Sequence, residues 1–289
     1  MQKNKYIEFL GEKGAELLNS FFMEIENGGY DKTKTLTVSL SNIEHPITLR
    51  CIRADMQSFV NTSIDPYLDK KIYLDNPNFI IDAGANIGYT AVLFANWWPN
   101  ATIVSIEPDL ENYELTLLNT KKYTNIHVLH AGLWYKNAKL QIEAGQEDGF
   151  VVREVSNETK ISSQNLSEGI SLDEILTRFK KNKIDFLKMN IEGSEKEVFS
   201  FNYQNWLPKT KAMLIELHDG KNKGCAKAVF KATNEYNFAV AETANYGILF
   251  CEENTYRNWY AQWYKENIYQ PNINKTRFPK FYLDQEISK

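Results

Sequence analysis

Short apolar runs, each closed by a polar or glycine residue, alternate along this chain with stretches whose apolar residues recur at helical spacing. Ile7, Leu10, Leu17, Leu18, Phe21, Phe22 and Ile25 mark an amphipathic helix over about 5–26, stopped by Gly28-Gly29. Leu36, Val38 and Leu40 alternate with polar residues as a strand does, and Ile47–Ile52 gives a second strand after the 42–46 turn. Phe79-Ile80-Ile81 is a run suited to a parallel strand covered on both faces. It ends in Asp82, runs through Gly84 and Gly88, and becomes helical at Val92, Leu93 and Ala95. Further strands are predicted at 102–107, 126–131, 184–190 and 212–217, with helices starting near Leu110, Ser171 and Lys221. Residues 138–155 read as an inserted hairpin, 156–167 as a polar loop, and 238–243 with 247–252 as a closing antiparallel hairpin. Arg53 and Asp55 fall in what reads as a connecting segment. Alternating βα units of this kind build a mostly parallel sheet flanked by helices.

Composition narrows the class little. The 289 residues are 43% hydrophobic and 24% charged, an ordinary globular balance. With 33 basic against 37 acidic residues the formal charge is −4, which gives no electrostatic argument for nucleic acid or an anionic membrane. Cys51, Cys225 and Cys251 are too widely spaced for a zinc or disulfide framework and read as reduced structural thiols. No apolar run has the length of a signal-peptide core or a membrane span, so the expectation is a soluble cytoplasmic protein. The sequence carries no information on oligomeric state.

Charge position says more than charge total. Asp82, Glu107, Asn190, Glu192, Glu216 and His218 all fall at predicted strand ends, and in open α/β sheets ligands bind at that rim. Glu107 lies roughly 20 residues beyond the glycine turn, where a carboxylate meets a ribose in nucleotide-binding units. The turn is Gly84-x-x-x-Gly88 rather than the dinucleotide GxGxxG, and an acid precedes it. An acidic rim suits a cationic ligand, and S-adenosylmethionine, with its ammonium, sulfonium and ribose, fits. His127 and His130 lie three steps apart on one strand, on opposite faces, and form no metal pair. Glu192, His218 and Asp219 have no defining ligand spacing, so no metal is assigned. An NAD(P)-dependent oxidoreductase remains the rival reading at this point, because Glu107 suits its ribose too.

The segments Ile81-Asp82-Ala83-Gly84-Ala85-Asn86-Ile87-Gly88, Glu107-Pro108, Leu187-Lys188-Met189-Asn190-Ile191-Glu192-Gly193 with Glu195, and Glu216-Leu217-His218 resemble, in that order, the FkbM family of S-adenosylmethionine-dependent methyltransferases. Arg53-Ala54-Asp55 resembles a degraded form of the family's upstream Arg…Asp element. The resemblance covers roughly 77–252. It implies a Rossmann-like class I methyltransferase sheet, mostly parallel with an antiparallel last strand. Residues 1–76 would form a small α+β cap and 253–289 an aromatic-rich extension containing Tyr256, Trp259, Tyr260, Trp263 and Tyr264. It further implies O-methylation of a sugar, glycan or natural-product hydroxyl. By matching position, Asp82, Gly84, Ala85, Asn86 and Gly88 would line the methionine half of the cofactor. Glu107 would bind the ribose, Pro108 and Asp109 would flank the adenosine, and Ala131-Gly132 would approach the adenine. Asn190 belongs to the same set but stands where the family usually has aspartate, and asparagine is neither a base nor an anionic ligand. That departure leaves open a protein that binds the cofactor without catalysis. For a general base the candidates are His218, whose ordinary pKa is about 6.5, and then Glu192.

Overall fold

The computed structural model describes residues 2–28, 31–63, 74–144, 150–155, 165–240 and 246–250, with 255 and 257. The aromatic tail from Tyr256, most of the 156–167 loop, Tyr67, Cys251 and the Asn245 side of the final turn lie outside them.

The chain opens with α1 (Gln2–Glu26), kinked at Gly11, followed by the antiparallel pair β1 (Asp31–Val38) and β2 (Ile47–Cys51). Next comes α2 (Arg53–Ser63), so the predicted connecting segment is a helix. The second unit runs β3 (Phe79–Ala83), α3 (Tyr89–Trp97), β4 (Thr102–Glu107), α4 (Leu110–Thr120) and β5 (Ile126–Leu133). An antiparallel hairpin of β6 (Ala138–Ala144) and β7 (Phe150–Glu154) follows, as the alternation of 138–155 predicts. β8 (Leu166–Ile170) comes next, and the sequence pattern does not reveal it. The chain continues through α5 (Leu172–Arg178), β9 (Ile184–Met189), two short helices α6 (Glu195–Ser200) and α7 (Tyr203–Trp206), and β10 (Thr210–Glu216). It closes with α8 (Cys225–Ala232), β11 (Asn237–Val240) and β12 (Tyr246–Phe250).

Ten strands form one sheet in the order β11-β12-β10-β9-β3-β4-β5-β8-β6-β7. β10, β9, β3, β4, β5 and β8 are mutually parallel, while β12 runs antiparallel to both its neighbours. This is the class I methyltransferase arrangement expected from the sequence. β3 is central and buried along its whole length. Its side chains alternate between two hydrophobic clusters. Ile80 faces one, Phe79 and Ile81 the other. The first cluster also takes in Leu18, Phe21, Val38, Ile47, Leu49, Met56 and Phe59, so the N-terminal elements are packed into the core on that face. Among the described residues no helix is long and apolar enough to cross a membrane.

Parallel strands place their carboxyl ends on one rim. Register fixes which residues meet there: Asp82 is opposite Ser105 on one side and Lys188 on the other, and Glu107 is opposite His130.

Candidate active site

The turn after β3 is held from several directions by main-chain bonds. The N–H groups of Gly84 and Ala85 both donate to the carbonyl of Ile106, each at 3.0 Å, and the N–H of Asn190 donates to the carbonyl of Ala83 at 3.0 Å. Gly84 has φ 78°, a left-handed conformation that costs glycine little. A Cβ built there would overlap the carbonyl oxygen of Asn190 and stand 2.8 Å from its carbonyl carbon. Gly88 has φ 81°, and a Cβ there would meet Thr116 Cγ2 at 2.8 Å. The first glycine lets β9 close onto the turn. The second lets α4 close onto the start of α3. Between them Asn86 also takes a left-handed φ of 52°. Its carbonyl accepts from Thr116 Oγ1 at 2.6 Å. Asn119 Nδ2 holds the next carbonyl, that of Ile87, at 2.8 Å.

Asp82 is 0% exposed. Lys188 Nζ lies 3.1 Å from its Oδ1 and donates to the Gly84 carbonyl at 2.7 Å, and Ser105 Oγ donates to Oδ2 at 3.4 Å. Burial pushes the Asp82 carboxyl up from its ordinary value, and the Lys188 ammonium pulls it back. The carboxylate therefore sits beneath the turn with its charge already matched. Asp82 itself is buried, and Lys188 links it to the turn through the Gly84 carbonyl. The lysine lies inside the recognised motif, but its role depends on a register between residues 106 apart in sequence, which the pattern alone does not show.

Glu107 is 4% exposed and ends β4. Its Oε2 accepts the N–H of Asn86 at 2.8 Å and its Oε1 accepts that of Asp109 at 3.0 Å. Burial outweighs these bonds and pushes the carboxyl up to about 7. Asp109 in turn caps α4, accepting from the Asn112 N–H at 2.9 Å. Pro108 and Gly132 are neighbours: a Cβ on Gly132 would lie 3.7 Å from Pro108 Cβ, and 2.8 Å from Leu140 Cδ1. Ala131 and Gly132 are paired in register with Glu168 and Gly169 of β8. His130 Nε2 lies 3.0 Å from the Pro108 carbonyl and its ring stacks on Tyr113 at 4.8 Å, while His127 on the opposite face meets Phe179.

A second cluster lies where β9 and β10 end. His218 Nδ1 is 2.8 Å from Glu195 Oε1, and its Nε2 is 3.7 Å from Glu192 Oε2 and 3.9 Å from Glu216 Oε1. Burial opposes a charge on this ring, but the Glu195 hydrogen bond and the nearby Glu192 and Glu216 carboxylates raise its pKa above the ordinary histidine value. Glu195, the first residue of α6, is 0% exposed and also accepts the Ile191 N–H at 3.2 Å. It too lies inside the recognised motif, where sequence reasoning gives it no role. Glu192 takes a left-handed φ of 57° and is paired with Lys221. Asp219 is committed elsewhere: its carboxylate accepts the N–H groups of Gly224 at 3.0 Å and Ala226 at 2.7 Å, capping α8. Among the described residues no group of three or more His, Cys, Asp or Glu has the geometry of a metal site.

The two clusters share the end of β9. Asn190 meets Gly84 through its main chain, and Ile191 beside it donates to Glu195. Behind them is a third, structural pair. Asp55 is bound by Arg50, with Nε to Oδ2 at 2.9 Å and Nη2 to Oδ1 at 2.7 Å. Arg53 is exposed, whereas Arg50 and Asp55 are buried. Arg50 also reaches Asn112 Oδ1 at 2.5 Å, which ties the N-terminal strands to the start of α4.

A carboxylate held at a strand end by two N–H donors still has lone pairs for vicinal hydroxyls. The left-handed turn beside it brings main chain rather than side chain to the rim. The carboxylate suits the ribose of S-adenosylmethionine, and the turn suits its methionine half.

The model of the methyltransferase FkbM domain matches residues 82–257. Among solved structures the chain is similar to methyltransferase FkbM from Methylobacillus flagellatus KT, at 15% identity and TM-score 0.45, covering 64% of this chain and 46% of that one. It is also similar to a SAM-dependent methyltransferase from Aquifex aeolicus, at 12% identity and TM-score 0.37, covering 67% and 92%. A third is M. capricolum TrmK in complex with S-adenosyl-homocysteine, at 12% identity and TM-score 0.34, covering 63% and 65%. The chain thus spans under half the length of the first of these. No curated protein matches the sequence.

Proposed function

We propose that this chain, which belongs to the FkbM methyltransferase family, is an S-adenosylmethionine-dependent O-methyltransferase acting on a hydroxyl of a sugar, glycan or natural product. The observation that carries the oxygen assignment is the Glu195–His218 pair beside the turn: a ring nitrogen with a carboxylate behind it is a base for a hydroxyl proton.

In this reading Glu107 accepts hydrogen bonds from the ribose hydroxyls, and the main chain from Gly84 to Gly88, with Ala85 and Asn86, borders the methionine half. Pro108, Asp109, Ala131 and Gly132 border the adenine side, and Asn190 closes the site by its main chain. Asp82 and Lys188 position the turn from beneath. S-adenosylmethionine supplies a methyl group on a sulfonium, a carbon already activated for displacement. The protein's own contribution is to hold the acceptor in line and to take its proton. A sugar hydroxyl is a weak nucleophile at neutral pH, so that proton goes to Nε2 of His218, and Glu192, whose Oε2 lies 3.7 Å from that nitrogen, orients the hydroxyl. Glu192 serves as the base in its place if the ring is dispensable.

Asn190 favours one second reading, cofactor binding without turnover, because the family usually carries aspartate there. Incubation with methyl-labelled S-adenosylmethionine and a panel of neutral sugars and glycosides separates the two. O-methylated product is expected. Label on nitrogen or carbon overturns the oxygen assignment. Cofactor binding with no transfer by the native chain, and transfer restored in Asn190→Asp, supports the second reading.

A further inference from the structure

We infer that Glu195 is a positioning residue for methyl transfer, fixing His218 in the tautomer whose Nε2 lone pair faces the rim. The inference rests on the reading of His218 as base and deepens it.

The geometry is one-sided. Glu195 is 0% exposed, its Oε1 lies 2.8 Å from Nδ1, and the Ile191 N–H donates to the same oxygen at 3.2 Å. An ionised carboxylate accepts hydrogen bonds and does not donate them, so opposite an ionised Glu195 the hydrogen is on Nδ1 whether the ring is neutral or charged. The neutral ring then has its lone pair on Nε2. The groups facing that atom are Glu192 and Glu216, both part-exposed, at 3.7 and 3.9 Å, too far for direct hydrogen bonds. Lys221 is bound to Glu192, and Asp219 is occupied in capping α8. The Cys225 thiol is pushed up to about 12 by burial and by the Glu195 charge, so it stays protonated and offers no competing base.

The proton balance follows. The acceptor's O–H bond breaks with its electron pair left on oxygen, and the proton forms the new Nε2–H bond. The imidazolium so formed is stabilised by the carboxylate already on Nδ1. Removing the Glu195 charge therefore affects the base twice: it frees the ring to flip or to change tautomer, and it lowers the ring's proton affinity.

Nitrogen NMR of ring-labelled wild-type protein, at a pH where His218 is neutral, reads the tautomer without any substrate. His218→Ala identifies its resonance among the four histidines. The Nδ1–H form is expected, and the Nε2–H form overturns the inference. Glu195→Gln is expected to lower the His218 pKa and move the acid limb of turnover down by roughly one pH unit or more, with Glu195→Asp restoring both in part. A Glu195→Gln protein that binds cofactor normally and keeps the wild-type His218 titration and acid limb also overturns it. Failure of the underlying reading looks different: His218→Ala would then retain turnover.

Discussion

The main chain of Asn190 occupies the place where a side chain on Gly84 would have to stand. The end of β9 and the turn after β3 are therefore one packed unit, and the only residue that serves both its space and its φ of 78° is glycine. Gly84→Ala is expected to cost roughly 2–4 kcal/mol, combining backbone strain with displacement of the β9 end. Chemical denaturation of the purified variant measures this. A loss within about 0.5 kcal/mol, the range of an ordinary surface change, would contradict the packing argument.

The Arg50–Asp55 pair makes a separate prediction about stability. Both residues are buried and joined by two side-chain hydrogen bonds of 2.9 and 2.7 Å, with the Arg50 main-chain N–H donating a third to Asp55 Oδ2 at 2.8 Å. Asp55→Ala leaves a buried guanidinium without its carboxylate and is expected to cost about 3–5 kcal/mol. Arg50→Met with Asp55→Leu removes both charges and is expected to cost distinctly less. Denaturation midpoints of the two proteins decide, and an equal loss in both would mean that the charge pair is not what matters.

Glu107 gives the fold a pH dependence whose sign is definite. Its carboxyl stands near 7 in the folded chain, against an ordinary 4.5, so the folded state holds the proton more tightly. The stability this contributes is fully present below about 4.5 and is lost as the pH rises through about 7. Between those limits the effect amounts to about 3 kcal/mol at most. Unfolding curves of wild type and Glu107→Gln across this range should differ in slope, with the variant flatter. Because ribose hydroxyls need the ionised form as acceptor, cofactor affinity should weaken as the pH falls through the same value.

Catalysis is tested by His218→Ala, with expected loss of turnover of roughly 10²- to 10⁴-fold and cofactor affinity little changed. In the wild type the acid limb of turnover should lie above the ordinary histidine value, since surrounding carboxylates raise the pKa of this ring. Parallel loss of turnover and cofactor binding would remove the base assignment.

Much of the rim was legible in the sequence because a parallel strand announces both itself and its end. Phe79–Ile81 is an unbroken apolar run, and Ile184–Met189 is apolar except at Asp185 and Lys188; each is followed at once by the residues that matter. What could not be read were relationships made only by register or by neighbours. Lys188 belongs to Asp82 because β3 and β9 pair in parallel at that register. Asp55 belongs to Arg50 rather than the nearer Arg53 because the β2-to-α2 corner turns Arg50 inward. β8 escapes notice because Ser167, Glu168 and Gly169 carry no apolar signal, and Leu140 from the next strand packs over Gly169. α2 buries Met56 and Phe59, but its polar residues mask that face until the cluster with Leu18 and Ile47 covers it.

Glu107 as the cofactor's ribose anchor is tested most directly by titration calorimetry at pH 8. S-adenosylmethionine should bind the wild-type chain, and bind Glu107→Gln about tenfold or more weakly, since hydrogen bonds to a charged acceptor are at stake. Equal affinity in the two proteins, or binding of NAD with none of S-adenosylmethionine, would contradict it.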